Sequence, residues 1–163
     1  MNIGQSFRNE KTCCFTGHRV ILENDSKIQK RLESEIKRLI NIDVQYFGAG
    51  GAVGFDTIAA LTVLKLKIEF PQIKLILVLP CKDQTKGWNE KDIKIYNQIR
   101  STADKVVYTS EYYTNNCMFK RNRHLVDNSS VCICYLREKS GGTAYTVNYA
   151  KQKGLNIINL AKL

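Results

Sequence analysis

At 163 residues the chain has room for one domain, and a hydrophobic fraction of 44% excludes a disordered chain and a disulfide-stapled miniprotein. Lys and Arg outnumber Asp and Glu by 25 to 15, and the net charge of +10 suits anionic ligands such as nucleotides, nucleic acid or acidic lipid. The basic residues are scattered rather than grouped in blocks, so solubility is an alternative explanation of the charge.

The six cysteines form no Cys-x-x-Cys pair, the spacing typical of zinc sites and thioredoxin-like chemistry. Four of them lie in apolar, strand-like runs, where a free cysteine behaves as a small hydrophobic residue. We therefore expect no metal, no cofactor and a reduced, cytoplasmic protein. The polar opening predicts a flexible N-terminal arm (1–11) before a single domain (12–163), and no apolar run has the length of a membrane span.

Short apolar runs alternate with amphipathic windows along the whole chain. The runs predict strands at 12–17, 44–50, 73–80, 104–110, 131–136 and 156–160. A first helix through Ile28 to Ile40 is predicted after a cap at Asp25 or Ser26. Further helices are predicted near 55–68, 90–101, 117–128 and 143–153, the last closed by Gly154. Buried strands separated by helices indicate an α/β fold whose mainly parallel sheet carries helices on both faces.

Ligands of such sheets bind at the carboxyl ends of the strands, near the point where the strand order reverses. The first strand ends in Thr16, Gly17, His18 and Arg19. A glycine lets the backbone approach a ligand, and arginine offers a planar fork to phosphate or carboxylate. A His-Arg pair in a surface turn is also often only solvated, so both interpretations stay open.

Glycines and one acid follow the second strand, in YFGAGGAVGFD. The segment contains Gly50, Gly51 and Asp56, but no Gly-Lys-Ser/Thr follows and the spacing departs from Gly-x-Gly-x-x-Gly, so it is not a P-loop. A carboxylate in the first helical turn competes with phosphate for the helix amides and is better suited to accept hydrogen bonds from ribose hydroxyls. The alternative is that Asp56 only caps the helix and the glycines only turn the chain.

A second glycine corner opens the last helix, in SGGTAYT. Its first turn contains no acid, and free amides stand beside the hydroxyls of three side chains. We predict that this corner, rather than the one at Asp56, holds phosphate; the alternative is an ordinary N-capped helix. The candidate residues are Ser140, Gly141, Gly142, Thr143 and Thr146.

The window from Cys117 to Ser130 contains the strongest single candidates. A helical wheel places Asn122 near the middle of an apolar face and Arg121 at its edge. A carboxamide that points inward needs a partner or costs about 1–3 kcal/mol, and Arg121 could reach a phosphate at the sheet edge. For Asp127 the simpler explanation is an i,i+4 ion pair with Arg123.

Two aromatic residues follow the third strand. Trp88 offers a ring on which a base could stack, whereas Tyr96 has helical spacing to Ile93 and Ile99 and is predicted to pack in the core. We therefore include Trp88, but not Tyr96, among the candidate ligand-binding residues.

The motifs TGHR, GAGGAVGFD, FKRNRHLVD and SGGTAYTVNYA, in this order and spacing, resemble the SLOG superfamily and, within it, the YpsA-like group. The resemblance covers 12–160, and the superfamily also includes the LOG phosphoribohydrolases and the DprA DNA-processing proteins. It implies one Rossmann-like domain with a pocket for a nucleotide or nucleotide-sugar. By position, Gly17 and Arg19 would edge this pocket, Gly50, Gly51 and Asp56 would form one wall and Arg121 and Asn122 another, and Gly141 to Thr143 would hold phosphate.

One departure from the LOG signature bears on catalysis. LOG enzymes carry Gly-Gly-x-Gly-Thr-x-x-Glu, in which the Glu assists cleavage of an N-glycosidic bond, and the matching position here is Thr146. A hydroxyl cannot act as a carboxylate base at neutral pH, although Asp56 or Asp127 could still serve. Whether the protein is an enzyme therefore stays open.

We expect binding of a nucleotide or nucleotide-derived ligand, either ADP-ribose or NAD-derived or a nucleoside phosphate, by a sensor or sequestering module. LOG-like N-glycosidic hydrolysis and DprA-like single-stranded DNA binding are the alternatives. No membrane partner is expected, and a homo-oligomer is expected only by analogy with related sheets.

Overall fold

The computed structural model of the protein describes residues 9–161. Its strands are β1 (Thr12–Gly17), β2 (Tyr46–Ala49), β3 (Lys74–Leu79), β4 (Lys105–Tyr108), β5 (Val131–Tyr135) and β6 (Asn156–Asn159). Five helices connect them: α1 (Asp25–Asn41), α2 (Phe55–Glu69), α3 (Glu90–Thr102), α4 (Cys117–Asp127) and α5 (Gly142–Gln152). Strands and helices therefore alternate in the predicted order.

The strands form one sheet in the order β4-β3-β2-β1-β5-β6, and all neighbouring strands pair in parallel. β1 lies at the point where the strand order reverses, because Cys13 pairs with Phe47 of β2 on one side and with Val131 of β5 on the other. This confirms the predicted Rossmann-like α/β fold and places the expected binding edge at the ends of β1, β2 and β5.

Helices cover both faces of the sheet. The first face carries α1, α2 and α3 around Phe15, and the second face carries α4 and α5 around Cys14, because successive strand residues point to opposite faces. The apolar stripe of α1 is fully buried on the first face, at Ile28, Leu32 and Ile36 among others. All six cysteines are buried and free.

β1 has the predicted bounds, and the other strands are slightly shorter than the apolar runs that predicted them. Val44 is only 3% exposed and Ile73 is fully buried, yet both lie just before a strand begins. Buried residues thus continue beyond the hydrogen-bonded part of a strand. The hydrophobic pattern alone does not show where the hydrogen bonds between strands end. The cap of α1 lies one residue before the predicted position, because the Asn24 side chain accepts a hydrogen bond from the Ser26 amide at 2.8 Å.

The predicted N-terminal arm lies largely outside the described residues, which begin at Asn9. The Asn9 side chain donates to the carbonyl of Asp127 at 3.1 Å, and Ser130 donates to the carbonyl of Glu10 at 3.1 Å. The last residues of the arm therefore contact the domain. Among the described helices, none combines the length and apolar character that a membrane crossing requires.

Helix α5 ends at the predicted glycine. Gly154 has a φ of 81°, and its amide donates to the carbonyl of Lys151 at 3.1 Å while the amide of Leu155 donates to that of Ala150 at 3.0 Å. These two hydrogen bonds form a Schellman motif, which needs a left-handed residue at Gly154.

Replacing Gly154 with alanine should reduce the free energy of unfolding by about 1 kcal/mol, because a Cβ is strained in the left-handed region even where no atom contacts it. Urea denaturation would measure the change. Gly142→Ala is the matched control, since Gly142 also has open space around its Cα but lacks a positive φ. An equal decrease in the free energy of unfolding in both variants would contradict the Schellman motif at Gly154.

Candidate functional site at the carboxyl edge of the sheet

Arg121 crosses the carboxyl end of β2 from its position on α4. It is only 5% exposed, and its guanidinium donates through Nη1 to the carbonyl of Gly50. Nε donates to Oδ1 of Asn122 at 2.7 Å, and Nη2 lies 3.7 Å from the sulfur of Met118. The guanidinium is therefore held in one position above the strand end.

The structure reverses the burial expected from the helical wheel. Arg121 is the buried residue and Asn122 is half-buried. The wheel follows only the direction of the Cα–Cβ bond, whereas a long arginine side chain bends to reach a distant acceptor, here the carbonyl of Gly50. The Asn122 carboxamide uses its oxygen for Arg121, and its NH₂ group donates no hydrogen bond within residues 9–161.

Gly50 lies between an arginine and an acid. A Cβ built on it would lie 2.6 Å from Cζ of Arg121 and 2.9 Å from Oδ2 of Asp56. Oδ2 also accepts a hydrogen bond from the amide of Ala52 at 3.2 Å, which ties the glycine loop to the first turn of α2. The missing side chain of Gly50 therefore lets the guanidinium and the carboxylate converge on the same space.

The charges at this edge largely compensate one another. Burial raises the pKa of Asp56, an effect that the charges of Arg121 and Arg19 and the Ala52 amide oppose. Burial likewise lowers the pKa of Arg121, against the attraction of Asp56. Two guanidinium groups thus accompany one carboxylate. Their positive charge offsets the repulsion of phosphate that is expected from Asp56. Arg19 is exposed and can contact a ligand directly.

His18 connects the two glycine corners. Its carbonyl accepts from the amide of Phe55 at 3.1 Å, at the start of α2. Its Nε2 accepts from the amide of Arg137 at 2.8 Å, in the loop between β5 and α5. The His18 amide also donates to the carbonyl of Tyr135 at 3.3 Å, across the point where the strand order reverses.

The corner at α5 is open. Gly141 and Gly142 are exposed, and no atom lies within 4 Å of a Cβ built on either. The first turn of α5 contains no acid, as the sequence indicates, and no side chain caps the helix. Thr146, by contrast, is 2% exposed and donates to the carbonyl of Gly142 at 2.9 Å, so its hydroxyl is turned away from a ligand. Ser140 is exposed and Thr143 is half-buried at this corner.

The segment between β3 and α3 supplies a residue that the sequence did not indicate. Gln84 is 7% exposed and donates to the carbonyl of Gly50 at 3.3 Å, beside Arg121. A glutamine in a polar loop gives no signal of such burial. Trp88 is half-buried and packs edge-on against Tyr96, with ring centroids 5.6 Å apart, and burial raises the pKa of Tyr96 to about 12.

The expected ion pair between Arg123 and Asp127 does not form. Arg123 donates to the hydroxyl of Tyr145 at 3.1 Å, and Asp127 accepts from the hydroxyl of Tyr149 at 2.7 Å. Both side chains lean toward α5 instead of toward each other, because its tyrosines offer polar partners. Within residues 9–161 no group of three or more His, Cys, Asp or Glu side chains could hold a metal ion.

The glycine corners, the basic helix and the parallel sheet together match a known family. The family profile for YpsA, described as "YspA SLOG family", covers residues 13–160. The chain belongs to the YpsA family of SLOG proteins. The resemblance noted in the sequence is thereby confirmed over nearly the whole described domain.

Relatives of this YpsA-family protein are found among bacilli. A UPF0398 protein of Bacillus thuringiensis (strain Al Hakam) is 30% identical over 130 residues, which cover 78% of this chain and 71% of the relative. The SPbeta prophage-derived protein YoqJ of Bacillus subtilis (strain 168) is 30% identical over 139 residues, or 77% of this chain and 81% of the relative.

The fold of this YpsA-family protein is also similar to that of DNA processing protein A from Helicobacter pylori. The TM-score is 0.68 at 15% sequence identity, and the match covers 99% of this chain and 70% of that one. The structure of the Helicobacter protein is described as giving insight into its single-stranded DNA binding mode. At 15% sequence identity, this similarity establishes only that the two proteins share a fold.

Replacing Gly50 with alanine should lower the free energy of unfolding by about 1–3 kcal/mol, because the new Cβ would collide with Arg121 and Asp56 in a packed site. Gly48→Ala is the matched control two residues earlier, within β2, since its Cβ would meet the end of the flexible Leu125 side chain at 2.9 Å. Urea denaturation of both variants is the measurement. If Gly50→Ala is at least as stable as Gly48→Ala, the close approach of Arg121 and Asp56 to Gly50 is refuted.

The raised pKa of Asp56 predicts a pH-dependent contribution to stability. The folded protein holds this proton more tightly than the unfolded chain, so the contribution is complete below the ordinary pKa of 3.8 and is lost as the pH rises through the raised value. Denaturation of wild type and Asp56→Asn across acidic and neutral pH should show wild type losing stability relative to the variant as the pH rises. The prediction would be contradicted if the difference in stability between wild type and Asp56→Asn did not change with pH, or if wild type gained stability relative to the variant as the pH rises.

Proposed function

We propose that the carboxyl edge binds a nucleotide or nucleotide-derived ligand, with phosphate at Ser140 to Thr143, and that the protein acts as a sensor or sequestering module. The observation that carries this proposal is the link through His18. It joins the loop that leads to the open, acid-free N-terminus of α5 to the strand end that bears the exposed Arg19. Helix amides and a guanidinium are donors that suit a phosphate group.

The corner at Asp56 is suited to a sugar. Asp56 uses Oδ2 for the Ala52 amide, while Oδ1 makes no hydrogen bond within residues 9–161 and is not fully enclosed. This second oxygen can accept from a ribose hydroxyl, which is the role expected of an acid in dinucleotide-binding folds. Arg121 and Gln84 then hold the Gly50 backbone in place rather than contacting phosphate themselves.

Trp88 and Asn122 complete the proposed site. The half-buried ring of Trp88 leaves part of its surface for a base, and the NH₂ group of Asn122 remains available as a donor. Thr146 has no place in this arrangement, because its hydroxyl is bonded within α5. Binding without turnover is therefore favoured over N-glycosidic hydrolysis that would use the side chain at position 146.

Single-stranded nucleic acid at the same edge is a second candidate. The fold is similar to that of a protein whose structure is described by its single-stranded DNA binding mode, and the net charge of +10 favours a polyanion. A nucleic acid would use the same phosphate donors and would therefore compete with a mononucleotide.

Calorimetry with AMP, ADP-ribose, cyclic ADP-ribose isomers and NAD tests the proposal. At least one ligand should bind, and Arg19→Ala should weaken that binding about tenfold, because a hydrogen bond from a charged donor contributes roughly 1.5–3 kcal/mol. Arg38→Ala is the control, since Arg38 is exposed on α1 and pairs with Glu35. The ligand should be recovered unchanged after long incubation, as chromatography would show.

Failure of the whole panel to bind would count against the nucleotide assignment. An oligothymidylate that binds in low salt, weakens steeply as salt rises and is not displaced by nucleotides would favour the nucleic acid candidate. Cleavage of an N-glycosidic bond that is lost in Asp56→Asn would establish the hydrolase alternative instead.

A further inference from the structure

The two faces of the sheet are covered unequally. Three helices pack on the first face, but on the second face α4 packs against β1 and β3, and α5 against β1, β5 and β6. The edge strand β4 lies beyond both of these helices. A groove of about 350 Å³ runs between β4 and α4 there, and we call it the β4 groove.

The β4 groove lies between β4 and one side of α4. β4 and the residue that follows it contribute Val107, Tyr108 and Thr109, and α4 contributes the side chains of Lys120, Arg123, His124 and Asp127. These α4 residues are distinct from Arg121 and Asn122, which belong to the carboxyl edge. The groove is therefore separate from the site of the proposed nucleotide function, and neither proposal depends on the other.

The backbone of β4 is paired on one side only. Its residues from Lys105 to Tyr108 pair in register with β3, from Ile76 to Leu79. No strand pairs with the other side of β4 in the part of the chain that the structure describes. An edge strand in this position presents amide and carbonyl groups that an extended peptide can bind as a further strand.

The charge of the β4 groove is positive. Neither Lys120 nor Arg123 forms an ion pair with a carboxylate in residues 9–161. Arg123 donates a hydrogen bond to the hydroxyl of Tyr145, which does not neutralise its charge. The one acid in the groove, Asp127, already accepts a hydrogen bond from Tyr149. Two more lysines border β4: Lys105 begins the strand and is exposed, and Lys82 lies 6.0 Å from the ring centroid of Tyr108.

We propose that the β4 groove binds an extended, acidic peptide segment of a partner protein, which adds to the sheet as a strand beside β4. The edge backbone supplies the hydrogen bonds, and Lys120 and Arg123 select acidic side chains. A peptide fits better than single-stranded nucleic acid, which binds through stacked bases. Tyr108, the aromatic residue of the groove, packs against the first-face core and lies beneath Lys82.

The test uses a fluorescein-labelled peptide of alternating Glu and Val with blocked termini and fluorescence anisotropy on the full chain. The peptide should bind, and the double variant Lys120→Glu/Arg123→Glu should weaken binding about tenfold or more through charge repulsion. Lys91→Glu/Lys94→Glu is the matched control, because both lysines are exposed on α3, on the opposite face, and binding should stay within about twofold of wild type.

A second probe separates strand addition from plain charge attraction. The same peptide N-methylated at alternate residues keeps its charge but loses strand hydrogen bonds, so it should bind about tenfold more weakly. Amide chemical shifts of Lys105 to Thr109 should change with the unmodified peptide.

Three results would overturn the proposal. The first is no binding of the unmodified peptide, and the second is equal binding of the N-methylated form. The third is an oligothymidylate that binds in place of the peptide and loses its affinity in the Lys120→Glu/Arg123→Glu variant. Circular dichroism of that variant, matching wild type, shows that lost binding is not lost folding.

Discussion

The carboxyl edge of the sheet depends on one buried guanidinium. Arg121 comes from α4 on the second face and Asp56 comes from α2 on the first face, and both side chains approach Gly50 at the end of β2. Burial penalises the charged form of both side chains, and the opposite charge of each offsets part of that penalty for the other. The shape of the glycine loop is therefore inseparable from the packing of helices on both faces.

The two glycine-rich corners of the edge differ in how enclosed they are. The corner at Asp56 is closed, with its glycine backbone held by Arg121 and Gln84. The corner at Gly141 is open, with helix amides facing free space. His18 contacts the start of α2 and the loop that leads to α5, so it links the segments that carry the closed and the open corner.

The sequence predicted most of the architecture because periodicity reports burial directly. The order and type of the strands and helices, the stop at Gly154 and the acid-free start of α5 all follow from local residue patterns. Long side chains were harder to place. The burial of Arg121 and Gln84 and the pairing of Asp127 with Tyr149 depend on acceptors and donors that are distant in sequence, and a helical wheel contains no information about them.

The central position of β1 also determines when the site can form. On one side Cys13 pairs with Phe47, which is near in sequence, and on the other side with Val131, which is far away. The pairing of β1 is therefore complete only when β5 has formed. Loop closure over such separations is slow compared with local helix formation. Until the loop after β5 is in place, His18 lacks its amide partner at Arg137. The carboxyl edge is consequently completed by segments from the C-terminal part of the chain, although its central strand comes first.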